Sequence, residues 1–200
     1  MATIGEYLEN MVVTKTSPDE RIHARVSNDL NVEIWFEPGA YQWYDESTLS
    51  HQLARLAVTT WVEYHRGRSE AYRQSQGLSY EELADAERPT DDPHRRRYEE
   101  ELNQIEGEGV SAAGTVRVRT RGMMQWTVEI QPGTVGRLSE EAFLAELHSA
   151  MKSLLADREV KIISLKSEYF DIGIPRRWRD LMTELKAINR SRRAAERSGG

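Results

Sequence analysis

Apolar and polar residues alternate in two regions of the chain, one in each half. Residues 22–26 and 32–36 place an apolar side chain at every second position, and residues 115–121 and 124–131 follow the same pattern. Successive side chains of a β-strand point to opposite faces, so this period predicts strands with one buried face and one polar face. We expect three strands between residues 12 and 38 and three more near residues 109–113, 115–121 and 124–131.

Apolar residues spaced three and four positions apart predict helices before and after each strand region. Asp92-Pro93 is a typical helix start, with Asp as the cap and Pro in the first turn. The predicted helices lie at residues 2–11, from Asp45 or Ser47 to about 72, at 80–87, from 92 onward, from about 139 onward, and from 175 to about 197. Residues 159–169 either extend the fifth helix or form a strand, and the pattern allows both.

The two strand regions follow one plan. Shifted by 94 positions, residues 21–58 fall on residues 115–152 without a gap, so that Leu53 falls on Leu147. A matching pattern with few identities indicates a duplicated unit. We therefore expect an α+β fold of two tandem α-β-β-β-α units, each with an antiparallel three-stranded sheet packed on helices. The expected divisions are 1–75 for the first unit, 76–92 for an acidic linker, 93–170 for the second unit, and 171–200 for a basic C-terminal helix and tail.

Charge is distributed unevenly along the chain. The net charge of −6 argues against a nucleic-acid binder, because neutralisation of phosphates needs clustered Lys and Arg. Residues 176–197, however, hold eight Lys and Arg against three acids. The rest of the chain is therefore strongly acidic, and any contact with phosphate is expected to involve this terminal segment.

The residue types needed for catalysis are scattered or missing. The chain has no cysteine, which excludes disulfides, thiolate chemistry and cysteine-based zinc sites. Its histidines include no pair at metal-ligand spacing on one helix, and no phosphate loop, dinucleotide fingerprint or nucleophile motif is present. We expect no enzymatic activity, no metal and no cofactor. The N-terminus lacks a signal-peptide pattern and no apolar run reaches the length of a membrane span, so the expected location is the cytoplasm, with no membrane partner.

The second unit, about Glu99 to Leu155, resembles the YbaB/EbfC family of bacterial nucleoid-associated proteins. The resemblance lies in the helix–three strands–helix order and in the segments "GTVRVRTRGMMQWTVEIQPGTV" and "LSEEAFLAELHSAMKSLL". The first unit follows the same plan, with "YQWYDES" in place of the usual aliphatic loop. Members of the family form tight dimers, and several bind DNA with little sequence preference. The resemblance therefore implies an intramolecular pseudo-dimer, weak and largely sequence-independent binding of duplex DNA, and a nucleoid location.

An alternative partner class also follows from resemblance. Some proteins associated with type VII secretion are similar to this strand–turn–helix unit, which implies a protein–protein adaptor or chaperone. Its partner would be another protein or a second copy of the chain.

The arginines are the candidate DNA contacts. Those on the fifth predicted strand alternate and share one face of the sheet, where pairing with nearby acids is the competing interpretation. For the terminal segment, the competing interpretation is a solvated or partner-docking tail. The candidates are Arg176, Arg177, Arg179, Arg190, Arg192, Arg193, Arg117, Arg119 and Arg121.

Four aromatic residues are the candidate contacts for a protein partner. Trp35, Tyr41, Trp43 and Tyr44 lie close together in sequence, just before a helix. Aromatic side chains are enriched in protein interfaces. The alternative is a small core beneath the loop, and the sequence supports both interpretations equally.

Overall fold

The computed structural model describes residues 4–27, 30–88 and 91–170 and shows an α+β fold with two three-stranded antiparallel sheets. The first half comprises α1 (Ile4–Glu9), β1 (Val13–Thr16), β2 (Ile22–Ser27), β3 (Asn31–Phe36), a 3-10 turn (Tyr41–Trp43) and α2 (Glu46–Gln76). The second half comprises α3 (Tyr80–Ala86), α4 (Pro93–Leu102), β4 (Glu106–Val110), β5 (Val116–Arg121), β6 (Gln125–Ile130), α5 (Thr134–Arg137) and α6 (Glu140–Tyr169). The predicted terminal helix at residues 175–197 lies outside the described residues.

Each sheet is an antiparallel meander, with β2 and β5 as the central strands. The strand orders are β1-β2-β3 and β4-β5-β6, and Ile22 pairs with Phe36 as Val116 pairs with Ile130. In β2 and β5 the apolar members of the alternation are buried and the arginines are exposed, whereas Val32 and Ile34 of β3 are half-buried. The predicted faces of β2 and β5 are therefore confirmed.

The elements of the two halves recur at an offset of 94 residues. The bounds of β2 and β3 coincide with those of β5 and β6 after the shift, and α2 and α6 begin at equivalent positions. Gly39 and Gly133 both adopt positive φ, at 76° and 78°. Glycine is the residue that occupies this left-handed region at little cost, so the same turn leaves β3 and β6.

Strand β4 begins three residues earlier than expected, at Glu106 instead of near residue 109. Gly107 and Gly109 contribute no side chain to the alternation, so the pattern carries no signal there. Gly109 is required by packing: a Cβ at this position would clash with the carbonyl oxygen of Ala150 and the backbone nitrogen of Leu154. Helix α6 therefore lies directly against the backbone of β4.

The two long helices begin at capping residues. Asp45 Oδ1 accepts a hydrogen bond from Thr48 N at 2.7 Å, and the Ser139 hydroxyl accepts one from Ala142 N at 3.2 Å. Helix α2 extends to Gln76, four residues beyond the expected end. Helix α6 continues to Tyr169, so residues 159–169, for which helix and strand were both possible, are helical.

One apolar core spans both halves. Leu53 on α2 and Leu147 on α6 are buried, at 5% and 2% exposure, as the duplicated pattern predicts. Helix α2 packs against β1 and β2 of its own sheet and also against β6, whereas α6 packs against β4, β5 and β3. Each long helix therefore contacts both sheets, and the buried side chains of the two halves form one cluster.

Candidate binding surfaces

The outer face of the second sheet carries the arginines of β5, each beside an acid. Arg117, Arg119 and Arg121 are all exposed and lie on one face, as expected. Arg117 forms an ion pair with Glu108 at 3.2 Å, and Arg119 forms one with Glu129. Arg121 lies opposite Glu106 across the strands. A phosphate at this face would have to compete with carboxylates for the guanidinium groups.

The outer face of the first sheet centres on His23. Its Nε2 lies 2.6 Å from Glu37 Oε1 and its Nδ1 lies 3.2 Å from the Thr16 hydroxyl, while its ring stacks on Trp35 with the centroids 5.2 Å apart. Nearby, Arg25 lies 4.0 Å from Glu33. Hydroxyl, imidazole and carboxylate occur here in the order used by nucleophilic triads. The side chain of His23 is 17% exposed and that of Glu37 is 53% exposed, so the carboxylate lies largely in solvent, unlike the buried acid of the Ser-His-Asp triad.

The four aromatic candidates divide into two core residues and two surface residues. Tyr41 and Tyr44 are buried, with 6% and 7% exposure, whereas Trp35 is 38% exposed and Trp43 is 74% exposed. Within the 3-10 turn the first residue, Tyr41, is buried and the last residue, Trp43, is exposed, whereas Trp35 lies on β3. Only the two tryptophans are accessible to a partner.

Tyr41 and Tyr44 are held in the core by packing and by hydrogen bonds. The ring of Tyr41 lies 5.4 Å from that of Phe143 on α6, and its hydroxyl donates to the Val135 carbonyl at 3.4 Å. Burial raises the pKa of Tyr41 to about 12. The Tyr44 hydroxyl donates to Asp19 Oδ2 at 2.6 Å, and burial together with this hydrogen bond raises the pKa of Tyr44. The two tyrosines thus anchor the turn, one of them to the other half of the molecule.

The turn of the second half lacks the exposed aromatic. At the offset of 94 residues, Trp43 corresponds to Arg137, whose Nε donates to the carbonyl of Gly133 at 2.9 Å. The exposed tryptophan is therefore specific to the first half.

The other six arginine candidates belong to the terminal segment. Arg176, Arg177, Arg179, Arg190, Arg192 and Arg193 lie outside the described residues.

A cavity that the sequence patterns did not reveal lies between the two halves. Its volume is about 70 Å³, and its lining is almost entirely apolar, with wall residues from β2, β3, β5, β6 and the two long helices. The lining includes two tryptophans, Trp61 and Trp126, and one buried threonine, Thr60. The alternating and helical patterns predict that such residues face inward, but not that they leave space between them.

Within residues 4–27, 30–88 and 91–170, no cluster of His, Asp and Glu is arranged to hold a metal ion. The helices of the same residues include none with the length and apolar composition needed to cross a membrane. Comparison of the chain with protein-family models, with curated proteins and with solved structures finds no match.

Proposed function

We propose that the protein is a non-enzymatic binding protein whose two units form an intramolecular pseudo-dimer. The recurrence of element bounds at an offset of 94 residues supports this proposal, as does the packing of each long helix on both sheets. The lining of the central cavity adds support, because it contains matched positions of the two units, among them Ile34 with Val128 and Leu53 with Leu147. In a dimer of separate chains, such matched positions surround the two-fold axis.

The proposed ligand is duplex DNA, bound weakly and with little sequence preference. The supporting observation is the charge distribution: residues 176–197 carry eight Lys and Arg against three acids, while Arg117 and Arg119 on the sheet pair with glutamates. The terminal arginines are therefore the expected phosphate contacts, and the acidic remainder repels the duplex. The resemblance to nucleoid-associated proteins points to the same ligand.

A gel shift with random duplex DNA tests this proposal. The full chain is compared with the triple variant R190Q/R192Q/R193Q and with the control R117Q/R119Q, which removes two positive charges from the sheet. Binding by the full chain should fall steeply between about 50 and 200 mM salt, because each neutralised phosphate releases counterions. The triple variant should lose binding and the control should retain it. The opposite result assigns the contact to the sheet, and no shift at about 50 mM salt rejects DNA as the ligand.

A protein partner is the second candidate, and Trp43 is the observation that favours it. A tryptophan that is 74% exposed between two anchored tyrosines is well suited to serve as an interface hot spot. Trp35 is also exposed, on the outer face of the first sheet.

The control for this candidate is Tyr80, which is 70% exposed on α3. If the turn binds a partner, Trp43→Ala should abolish co-purification of a specific protein from native cells, while Tyr80→Ala should leave it unchanged. Equal effects of the two substitutions would reject the turn as the interface. Light scattering of the purified chain distinguishes a second copy from a different protein as the partner.

A further inference from the structure

The C-terminal part of α6 carries an apolar stripe on its outer side. Val160 is 60% exposed, Ile163 is 40% exposed, and Phe170, which directly follows the helix, is 41% exposed. Ala156 is also exposed. Ala156, Val160 and Ile163 are four and three positions apart, so their side chains lie on one face of the helix, with Phe170 at its end. In the described part of the chain, this stripe is open to solvent.

The stripe is present in only one of the two long helices. At the offset of 94 residues, Val160 and Ile163 correspond to Arg66 and Ser69 of α2, which are polar. Two branched apolar side chains that stay in water lose the stabilisation that burial provides. The plan shared by the two halves does not account for this apolar pair, whereas an element that covers α6 does.

The chain that follows Phe170 carries a second apolar stripe. Residues 171–200 continue from the end of the α6 stripe, and Gly173 and Pro175 interrupt the helical pattern there. The sequence then predicts a helix over residues 175–197, with apolar residues spaced three and four positions apart. These residues are Trp178, Leu181, Met182, Leu185 and Ile188. A helix of this kind is stabilised chiefly by burying its apolar face against a partner.

The two stripes match in length and register. Antiparallel helices are commonly joined by connections of about two to eight residues, and residues 171–174 fall within this range. With the reversal of the chain midway between residues 172 and 173, Ile163 lies opposite Met182 and Val160 lies opposite Leu185. The members of each stripe are then one helical turn apart, about 4.5 Å along the axis. One register therefore pairs both apolar residues of α6 with apolar residues of the terminal segment.

The first half already contains a helix that follows the long helix and packs against it. Helix α2 ends at Gly77, which has a φ of 66°, and α3 follows and contacts α2. Arg73 of α2 donates from Nη1 to the carbonyl of Leu78 at 2.8 Å, and its guanidinium lies 4.3 Å from the ring centroid of Tyr80. At the offset of 94 residues, α3 falls on residues 174–180, the start of the predicted terminal helix.

We propose that residues 175–197 dock on α6 as an antiparallel helix whose apolar stripe covers Val160 and Ile163. Burial of apolar side chains from both helices provides the driving force. The basic residues with spacings of three, seven, four and three share an adjoining face of the predicted helix, which stays open to solvent. They are Arg176, Arg179, Lys186, Arg190 and Arg193. The docking goes beyond the proposed DNA binding and does not depend on it.

Disulfide trapping in the full chain tests the contact. The chain has no cysteine, so an introduced pair of cysteines can form one disulfide only. Val160→Cys/Leu185→Cys is compared with Val62→Cys/Leu185→Cys, because Val62 is 47% exposed on α2. Under mild oxidation at low protein concentration, the first pair should form its intramolecular disulfide roughly 10-fold faster or more, since docking raises the effective concentration of one thiol near the other. Equal rates for the two pairs, or a faster control pair, overturn the proposal.

Hydrogen exchange tests the docking without a cross-link. In the unchanged protein, the amides of residues 178–188 should be protected. Val160→Asp should speed their exchange roughly 10-fold or more, whereas Val62→Asp, the matched change on α2, should leave it unchanged. Unchanged protection of the two sheets shows that both variants are folded, as expected for substitutions at exposed positions. Fast exchange of residues 178–188 in the unchanged protein, or equal protection in the two variants, overturns the proposal. Neither test involves DNA, so failure of the DNA proposal leaves both readouts intact.

Discussion

Two glycines on β4 provide a test of the packing between the second sheet and α6. Gly107 and Gly109 are two residues apart, are both buried, and face α6 from the same side of the strand. A Cβ at Gly107 would lie 3.4–3.6 Å from side-chain atoms of Thr120, Arg158 and Leu154, which is ordinary contact. A Cβ at Gly109 would instead clash with backbone atoms of Ala150 and Leu154.

The two alanine substitutions should therefore differ in their effect on stability. At Gly107 the reduced entropy of the unfolded chain should leave the protein unchanged or more stable by up to about 1 kcal/mol. At Gly109 the same gain is outweighed, because no side-chain rotation relieves a clash with helix backbone and α6 has to move away from the sheet. Forced overpacking typically costs about 1–3 kcal/mol. The difference between the variants should reach about 2 kcal/mol.

Urea unfolding, followed by circular dichroism, measures this difference. With a slope of about 2 kcal/mol per M, a gap of about 2 kcal/mol separates the two midpoints by about 1 M. The slopes themselves should agree, because both variants unfold the same surface. Equal midpoints would refute the close approach of α6 to β4, and a lower midpoint for Gly107→Ala would place the contact two residues earlier on the strand.

Two further predictions concern the core and the acid range. Leu147→Ala should lower the free energy of unfolding by about 2–5 kcal/mol, because the side chain is buried. Glu141→Ala, on the exposed face of the same helix, should change it by less than about 1 kcal/mol. Equal losses in urea unfolding would contradict the assigned buried face of α6. Burial tends to raise the pKa of Asp19, but hydrogen bonds from Ser17, Tyr44 and the backbone outweigh it and leave the pKa below 3.8. The stability that Asp19 contributes should therefore be present above about pH 4 and be lost as pH falls through the folded-state pKa. Tyr44→Phe should reduce this loss of stability, because it removes one of these hydrogen bonds. An identical dependence of stability on pH in the variant and the unchanged protein would contradict the prediction.

The alternating strands could be predicted closely because side chains mark them. In β2 and β5 every second residue is apolar, and the predicted faces agree with the observed burial. For strand β4 the pattern predicts a start three residues too late, because the inward positions of this strand are glycines. The continuation of α6 beyond residue 158 could not be decided, since apolar residues such as Ile162 and Leu165 suit either structure. The segment is helical, and Leu165 is buried about three helical turns after Leu154.

The candidate surfaces could be predicted only by residue type. Tyr41, Trp43 and Tyr44 look alike in sequence, and contact with Phe143 of the other unit is what makes Tyr41 a core residue. Ion pairing of Arg117 and Arg119 depends on strand register, which brings Glu108 and Glu129 alongside them. Such contacts join residues that are distant in the chain, so local patterns do not contain them.

The recurrence of the pattern after 94 residues supplies a signal for functional residues that local patterns do not. Positions that serve the same role in both halves stay similar, such as Leu53 and Leu147, which are both buried. Positions that differ in chemistry serve either the packing of one half, as Gly109 does where its counterpart is Lys15, or a role outside the fold. Trp43, which corresponds to Arg137, belongs to the second group, because it is the most exposed tryptophan among the described residues. Trp43→Arg should therefore change the urea midpoint little while removing the binding of a protein partner at the turn. A large loss of stability in this variant would show that Trp43 serves the fold.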